Sequence, residues 1–232
     1  MVDQMFNKVV TIDGPSAVGK GTASRHLAYR LGWNLLDSGA LYRIVAYIAN
    51  EKGVSFECVS QLVEIAQNLK VDFVVHVNKP CEIIYQGLNI ASDIRSLSCG
   101  QAASTIAVIV PLREALLGFQ RSLVSKDGLV ADGRDMGSVV FPSAPLKFFL
   151  TASAEVRAHR RFKELRQAGS SDTIGHILRQ IETRDQRDRD RKVSPLIAAS
   201  DAIVLDTSDL AIEDVVQKMM VEVQRCGLAI NK

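Results

Sequence analysis

Nine residues near the start of the chain have the types and spacing needed to hold phosphate. They read GPSAVGKGT and lie between the β-branched segment Lys8–Asp13 and a helical pattern that stops at Gly32. After a strand and before a helix, the backbone N–H groups of such a turn converge on phosphate oxygens, the Lys20 ammonium adds a charge and the Thr22 hydroxyl can ligate Mg²⁺. An ordinary glycine-rich turn with an incidental lysine is the alternative. The predicted phosphate-binding loop (P-loop) comprises Gly14, Pro15, Ser16, Ala17, Val18, Gly19, Lys20, Gly21 and Thr22.

Two details indicate the kind of loop. Gly21 follows the lysine where Ser or Thr is common, and the GKGT ending resembles nucleoside monophosphate kinases more than small GTPases. A GTPase also needs a base-reading NKxD motif, but after Asn78 and Lys79 the carboxylate position holds Cys81. Ala17 stands where those kinases often have glycine, so a left-handed backbone there would strain the loop by about 1 kcal/mol.

A second polar segment, LLDSGALYR, spans residues 35–43. Asp37 and Ser38 follow an apolar strand, at the sheet edge where ligands bind in open parallel sheets. Arg43 comes about one turn into the next helix. A simple helix cap with a solvated arginine is the alternative, and we favour a substrate site.

A third segment, ADGRDMG, follows another apolar strand at residues 131–137. Asp132 resembles a Walker B carboxylate, which orients hydrated Mg²⁺ near the phosphates. Arg134 and Asp135 emerge at the same edge, one a cation and the other a hydrogen-bond acceptor. A charged turn between buried strands is the alternative. The segment predicts that Asp132, through water, and Thr22 hold a metal.

Arginines are concentrated in the last third of the chain. Residues 157–192 hold 11 Lys and Arg against 6 Asp and Glu, which gives this segment +5 and the remainder −3. A helix from about residue 173 through RDQRDRDR would place Arg184, Asp188 and Arg191 on one face, with the other arginines elsewhere. Such a run alone is usually a solvated, salt-bridged face, but beside a P-loop it predicts an anion site. Upstream, three arginines one turn apart predict a lid over the donor phosphates: Arg157, Arg160 and Arg161.

Composition excludes several classes of protein. The 232 residues are 47% hydrophobic and carry a net charge of +2, which argues against a nucleic-acid coat. Aspartates among the arginines at 185–190 would also repel the phosphates of a polymer. No apolar run approaches a membrane span, and the acidic start is unlike a secretory signal. Four dispersed cysteines and four dispersed histidines predict neither disulfides nor a zinc site. We expect a cytoplasmic monomer that binds neither membrane nor nucleic acid polymer.

Apolar runs that alternate with amphipathic stretches predict an α/β fold, with a parallel sheet and crossover helices in three layers. Residues 71–90 differ, because they alternate polar and apolar around a turn at 78–80 and predict a small inserted antiparallel sheet. We therefore expect a P-loop core at 1–37 and 106–232, with a short helical lid around 153–172. A substrate-binding domain at 38–105 would carry the β-module around 70–91.

Taken together, the motifs resemble bacterial cytidylate kinases over about residues 7–225. The segments that carry the resemblance are GPSAVGKGT, LLDSGALYR, PLREALL, ADGRDMGSVVFP, RAHRR and RDQRDRDRKVSPL. GRDMG and RDxxDR are far more specific than the P-loop. The resemblance implies a P-loop NTPase fold with an inserted nucleoside-monophosphate-binding module. It also implies transfer of the γ-phosphoryl group from ATP, with Mg²⁺, to CMP or dCMP. Another small-molecule P-loop kinase, such as a UMP or AMP kinase, is the alternative.

The resemblance also implies roles for individual residues. The cytosine, with its exocyclic amine and ring acceptors, would be read by Ser104, Arg113 and Asp135. The ribose hydroxyls would be held by Arg184 and Asp188. The acceptor phosphate would be surrounded by Ser38, Tyr42, Arg43, Arg134 and Arg191. The transferring group would be served by Lys20, Arg134, Arg157, Arg161 and Arg191. Catalysis would be positioning and charge stabilisation, because a monophosphate oxygen is already anionic at neutral pH.

Overall fold

The computed structural model describes residues 6–76, 79, 81–167 and 169–228. Its main sheet is built from β1 (Val9–Asp13), β2 (Asn34–Asp37), β6 (Leu129–Gly133), β7 (Leu146–Thr151) and β8 (Ile203–Asp206). The strands are all parallel and lie in the order β2-β6-β1-β7-β8. This sheet confirms the predicted α/β fold and places the strand that precedes the P-loop at its centre.

Helices lie on both faces of the sheet. The helices of the described residues are α1 (Lys20–Leu31), α2 (Ser38–Glu51), α3 (Val59–Gln67), α4 (Ala91–Ile94), α5 (Leu97–Ile106), α6 (Val110–Ser122), α7 (Ala154–Gln167), α8 (Ile174–Arg189) and α9 (Ile212–Arg225). Alternate strand residues face opposite sides, so Val9 and Leu129 pack with α2 and α6 while Val10 and Val130 pack with α1 and α9. The sheet therefore lies between two apolar layers, which gives the three-layer arrangement expected.

Local hydrogen bonds and backbone angles determine where two of the helices that carry site residues, α1 and α2, begin. Gly19 has φ +97° and turns the P-loop into α1, which ends where Gly32 has φ +66° and caps the last turn. Asp37 begins α2, because its carboxylate accepts a hydrogen bond from the N–H of Ala40 at 2.9 Å. Asp37 also lies in register with Asp132 on the neighbouring strand. Two acidic side chains thus reach the same edge of the sheet.

A second sheet confirms the predicted antiparallel module. It contains β3 (Val71–Val74), β4 (Glu82–Tyr85) and β5 (Leu88–Asn89), in that order. Of the predicted turn at 78–80, residues 78 and 80 lie outside the described part of the chain. Phe73 packs against both of the large apolar clusters, so β3 lies where the module meets the main sheet.

No single helix of the described residues is long and apolar enough to cross a membrane. One pair of helices, Ser98–Ile106 with Val110–Ser122, meets the length and composition criteria together and is bent by 102°.

Candidate active site

A cavity of about 1040 Å³ opens where β1, β2 and β6 end. Most of the predicted site residues line it: Ser16, Ala17, Gly19, Lys20, Gly21, Thr22, Ser38, Tyr42, Arg43, Ser104, Arg113, Asp132, Arg134, Asp135, Arg161, Arg184 and Arg191. The predicted residues that do not line it are Gly14, Pro15, Val18, Arg157, Arg160 and Asp188. Residues spread over most of the chain thus meet at one sheet edge.

The P-loop folds back on its own lysine. The Lys20 ammonium donates a hydrogen bond to the carbonyl of Pro15 at 2.8 Å, across the loop. Burial, together with the nearby Arg134 guanidinium, lowers the pKa of Lys20 to about 7. Gly14 has φ +146°, and a Cβ there would lie 2.3 Å from the carbonyl oxygen of Leu150. The loop can therefore be built only with glycine at this position.

Ala17 adopts the conformation that the sequence analysis singled out as costly. Its φ is +58°, in the left-handed region that favours glycine. The side chain lines the cavity and also packs against a small apolar cluster of Ala158, Ile177 and Ile181. The loop therefore carries backbone strain at the point where it meets α7 and α8.

Two buried carboxylates lie beneath the P-loop. Asp13 accepts hydrogen bonds from the N–H groups of Met136 at 2.9 Å and Gly137 at 2.8 Å. These N–H groups belong to a π-helical segment, Met136–Val140, so Asp13 ties the P-loop strand to the segment after β6. Burial raises the pKa of Asp13 to about 6 and that of Asp132 to about 7.

Asp188 organises two of the arginines that line the cavity. It is fully buried, accepts a hydrogen bond from Arg134 Nε at 2.9 Å and pairs through its other oxygen with Arg191. Burial alone would raise the pKa of Asp188, but the two guanidinium groups hold it below its usual value. Asp188 therefore fixes two arginines that line the cavity while it remains behind them.

The structure corrects the prediction that one helix carries Arg184, Asp188 and Arg191 on a shared face. α8 ends at Arg189, so Arg191 belongs to the segment that follows it. Arg191 reaches the cavity because it pairs with Asp188, three residues earlier. Arg184 does lie on α8, where burial lowers its pKa to about 9 and its Nε has no hydrogen-bond partner among the described residues. Such a buried donor is available to a ligand.

A tyrosine, an arginine and an aspartate form a polar cluster near the start of α2. Arg113 pairs with Asp135 and lies over the Tyr42 ring, 5.7 Å from its centre. Arg113 also donates to the carbonyl of Ala107 at 3.0 Å, which fixes the plane of its guanidinium. Burial raises the pKa of Tyr42 to about 12, so its hydroxyl keeps its proton. The group offers a carboxylate acceptor beside guanidinium donors.

The predicted lid arginines occupy three different environments. Arg157 is buried, pairs with Asp185 at 2.6 Å and donates to the carbonyl of Ser16 at 3.3 Å. It therefore supports the P-loop from behind. Arg160 donates to the carbonyl of Val18, 3.1 Å away. Of the three predicted lid arginines, only Arg161 lines the cavity.

A family model described as "Cytidylate kinase" matches residues 10–225. The chain belongs to the cytidylate kinase family. A cytidylate kinase of Methylococcus capsulatus is 50% identical over 216 residues, which cover 93% of this chain and 96% of the relative. A cytidylate kinase of Azotobacter vinelandii is 49% identical over 222 residues, covering 95% and 97%. One from Haemophilus ducreyi is 47% identical over 221 residues, covering 95% and 98%. These matches confirm the resemblance stated from the motifs.

In this member of the cytidylate kinase family, Thr22 and Asp132 supply oxygen donors at the cavity. Mg²⁺ prefers oxygen ligands, and proteins usually hold it by one or two carboxylates together with substrate phosphates and water. The Asp132 carboxyl is 8% exposed, and its burial disfavours the anion unless a positive charge is near. The donor set therefore fits a hydrated Mg²⁺ ion that is shared with a nucleotide.

Several residues of this cytidylate kinase site were missed by the sequence analysis. Gln120 is buried and accepts a hydrogen bond from the Ser38 hydroxyl at 3.0 Å. Arg25, Arg95 and Arg187 line the cavity. A signal existed for Arg25, because it stands five residues after Lys20 on the helix that opens from the P-loop. The sequence held no comparable signal for Gln120 or Arg95.

Proposed function

We propose that this kinase transfers the γ-phosphoryl group of ATP to CMP or dCMP, giving ADP and CDP or dCDP. The observation that carries the proposal is a single cavity that is lined both by a P-loop lysine and by the Arg113–Asp135 pair. A UMP or AMP kinase is not favoured, because the relatives are cytidylate kinases over nearly their whole length.

The acceptor end provides complementary groups for a pyrimidine nucleotide. Asp135 would accept a hydrogen bond from the exocyclic amine, and Arg113 would donate to the ring acceptors. Ser104 would complete the base contacts. The phosphate would be held by Ser38, Tyr42, Arg43, Arg134 and Arg191.

The ribose would be bound by Arg184, whose buried Nε is available to a ligand. A ribose contact by Asp188 requires Arg134 or Arg191 to move aside, because Asp188 is fully buried behind these arginines and does not line the cavity.

At the donor end, Lys20 would carry the charge that the transferring phosphoryl group needs. The polyanionic triphosphate favours the charged form of Lys20, whose pKa burial lowers in the free protein. Arg134, Arg161 and Arg191 would stabilise the charge that is spread over the transferring group. Arg157 would act as a positioning residue through Ser16. Thr22, and Asp132 through water, would hold Mg²⁺, which when bound neutralises phosphate charge.

The proposal is tested by measuring ADP release from ATP with CMP, dCMP, UMP, AMP, GMP or shikimate as the acceptor. We expect CMP and dCMP to stimulate turnover well above the other acceptors. Arg113→Met should selectively reduce the use of cytosine nucleotides, since it removes the base-reading guanidinium. Absent stimulation by CMP, or equal stimulation by every acceptor, would contradict the proposal.

We also propose that the enzyme works as a cytoplasmic monomer. Every group named above comes from one chain, and the four cysteines are free thiols, as expected in a reducing compartment. Sedimentation at the protein concentration used for the assay tests the oligomeric state, and a specific activity that rises with dimer formation would contradict a monomer.

A further inference from the structure

Arg187 and Ser104 form a hydrogen bond that joins two walls of the cavity. Arg187 lies in the last turn of α8, and Ser104 lies on α5, 83 residues earlier in the chain. The Arg187 Nη1 atom donates to Ser104 Oγ at 3.0 Å, and both residues line the cavity. The sequence pattern had placed Arg187 away from the predicted anion-binding face.

Arg187 differs from the neighbouring arginines in its hydrogen-bond partner. The neighbouring carboxylates already have arginines: Asp135 pairs with Arg113, Asp185 with Arg157 and Asp188 with Arg134 and Arg191. Arg187 takes part in none of the ion pairs between described residues. Its side-chain hydrogen bond goes to a neutral hydroxyl, so its contribution is to the orientation of that hydroxyl.

The hydrogen bond determines what Ser104 can do. A serine hydroxyl has one hydrogen to donate and two lone pairs that accept, whereas a guanidinium only donates. Arg187 therefore occupies a lone pair of Ser104, and the hydroxyl hydrogen must point to another group. Ser104 is 5% exposed, and its hydroxyl has no second hydrogen-bond partner among the described residues. The hydrogen is left for a ligand in the cavity.

We propose that Arg187 is a positioning residue that fixes Ser104 as a hydrogen-bond donor toward the pyrimidine ring, and that it thereby favours cytosine over uracil. The inference rests on the proposed function. Cytosine has an acceptor at ring atom N3, whereas uracil has an N–H donor there. At ring atom N3 a donated hydrogen complements only cytosine. Because Arg187 occupies one of its two lone pairs, the Ser104 hydroxyl has only one left to accept from the N3–H of uracil, so the donor orientation is favoured.

The test compares CMP with UMP as acceptors for the wild-type chain, Arg187→Met, Arg187→Lys and the control Arg189→Met. Arg189 is exposed, as Arg187 is, but it does not line the cavity. We expect Arg187→Met to lower the CMP-to-UMP ratio of kcat/KM by about tenfold, with the KM for ATP unchanged. Arg187→Lys should restore part of the ratio, because an ammonium can still donate to Ser104. Arg189→Met should leave it unchanged.

A double variant separates positioning from general support of the fold. Ser104→Ala should lower the ratio as Arg187→Met does, and the double variant should be no worse than Ser104→Ala alone. An unchanged ratio in Arg187→Met, equal losses for CMP and UMP, or independent effects that multiply in the double variant would overturn the inference. A wild-type chain without CMP-stimulated turnover would instead overturn the proposed function, and the inference with it.

Discussion

The two ends of the cavity hold positive charge by different means. At the donor end, one lysine lies within a loop of contiguous residues, and its hydrogen-bond partner is the carbonyl of Pro15. At the acceptor end, Arg134 and Arg191 come from different segments and share the buried carboxylate of Asp188. The local backbone shapes one end, while ion pairs shape the other.

The difference appears in the protonation equilibria. Burial lowers the pKa of Lys20 to about 7. Burial would also lower the pKa of Arg134, but Asp188 outweighs that effect and raises it. Arg134 is therefore fully charged before a ligand arrives, whereas Lys20 gains its full charge when a polyanion binds. The charge at the donor end should therefore depend on the bound ligand, whereas the charge at the acceptor end should depend on the protein's own carboxylates.

The largest expected effect is at Lys20. Lys20→Met removes the donor-end charge, and we expect turnover to fall by at least about 10²–10³-fold, because a preorganised charge on the transferring group is lost. The unfolding free energy should hardly fall, since an apolar chain replaces a buried cation without a carboxylate partner. ADP release and urea unfolding measure the two effects, with the exposed Lys163→Met as the control. Turnover within tenfold of the wild type would contradict the comparison.

The next effect is at Asp188. Asp188→Asn leaves Arg134 and Arg191 buried without their shared counter-charge, so we expect the unfolding free energy to fall by about 3–5 kcal/mol. Urea unfolding measures the change, with Asp190→Asn, an exposed aspartate of the same segment, as the control. CMP should restore more stability in the variant than in the wild type, because its phosphate replaces the lost charge. A loss below about 1 kcal/mol would show that the acceptor end does not depend on its acid.

The titrations of Asp13, beneath the P-loop, and of Asp188, at the acceptor end, should change the unfolding free energy with pH in opposite directions. The pKa of Asp13 rises from 3.8 to about 6 on folding, so between these values the folded protein keeps a proton that the unfolded chain has released. The Asp13 contribution therefore makes the unfolding free energy fall as pH rises from about 4 to 6. The pKa of Asp188 is lowered, so its contribution is lost as pH falls below the ordinary value.

Urea unfolding at several pH values between 4 and 7 tests this sign. Asp13→Asn should be less stable, because it loses an acceptor for the N–H of Met136 or Gly137, but its stability should fall less steeply across the same range. Asp127→Asn, at an exposed site, is the control. A variant with the same slope as the wild type would show that Asp13 is not the group that titrates.

The smallest effect concerns the strain in the donor loop. Ala17→Gly relieves a left-handed alanine but loosens the unfolded chain, so we expect a net gain of less than about 1 kcal/mol in unfolding free energy. Ala23→Gly, at the fourth residue of α1, should instead lose about 1 kcal/mol. Thermal or urea unfolding of both variants measures the difference. A loss of stability in Ala17→Gly would mean that packing of the methyl group on the cluster of Ala158, Ile177 and Ile181 outweighs the strain.

The donor end could be predicted from the sequence because its parts are contiguous. A strand, a glycine-rich turn and a helix are local patterns, and they placed Lys20 and Thr22 at the cavity before any tertiary contact was considered. The parallel sheet and the antiparallel module were predictable for the same reason, since both depend on the spacing of apolar residues.

The pairings at the acceptor end could not be predicted in that way. Helical spacing indicates a shared face only while the helix continues, and α8 ends before Arg191. The same spacing excluded Arg187, which the turn of the chain brings against Ser104. Arg157 has the sequence context of a lid residue, but the tertiary fold places it against Asp185. Which arginine pairs with which carboxylate depends on packing between segments that are far apart in the chain. A single sequence does not show how close those segments come in the folded protein.

The central position of β1 has a consequence for how the protein is made. Val9 pairs with Leu129, and Val10 pairs with Leu146, so every neighbour of the P-loop strand is synthesised long after it. Until β6 leaves the ribosome, an apolar strand near the start of the nascent chain has no strand to pair with, and its second neighbour, β7, follows later. The motif that is translated first is therefore completed late, and ATP binding should appear only in the last phase of refolding.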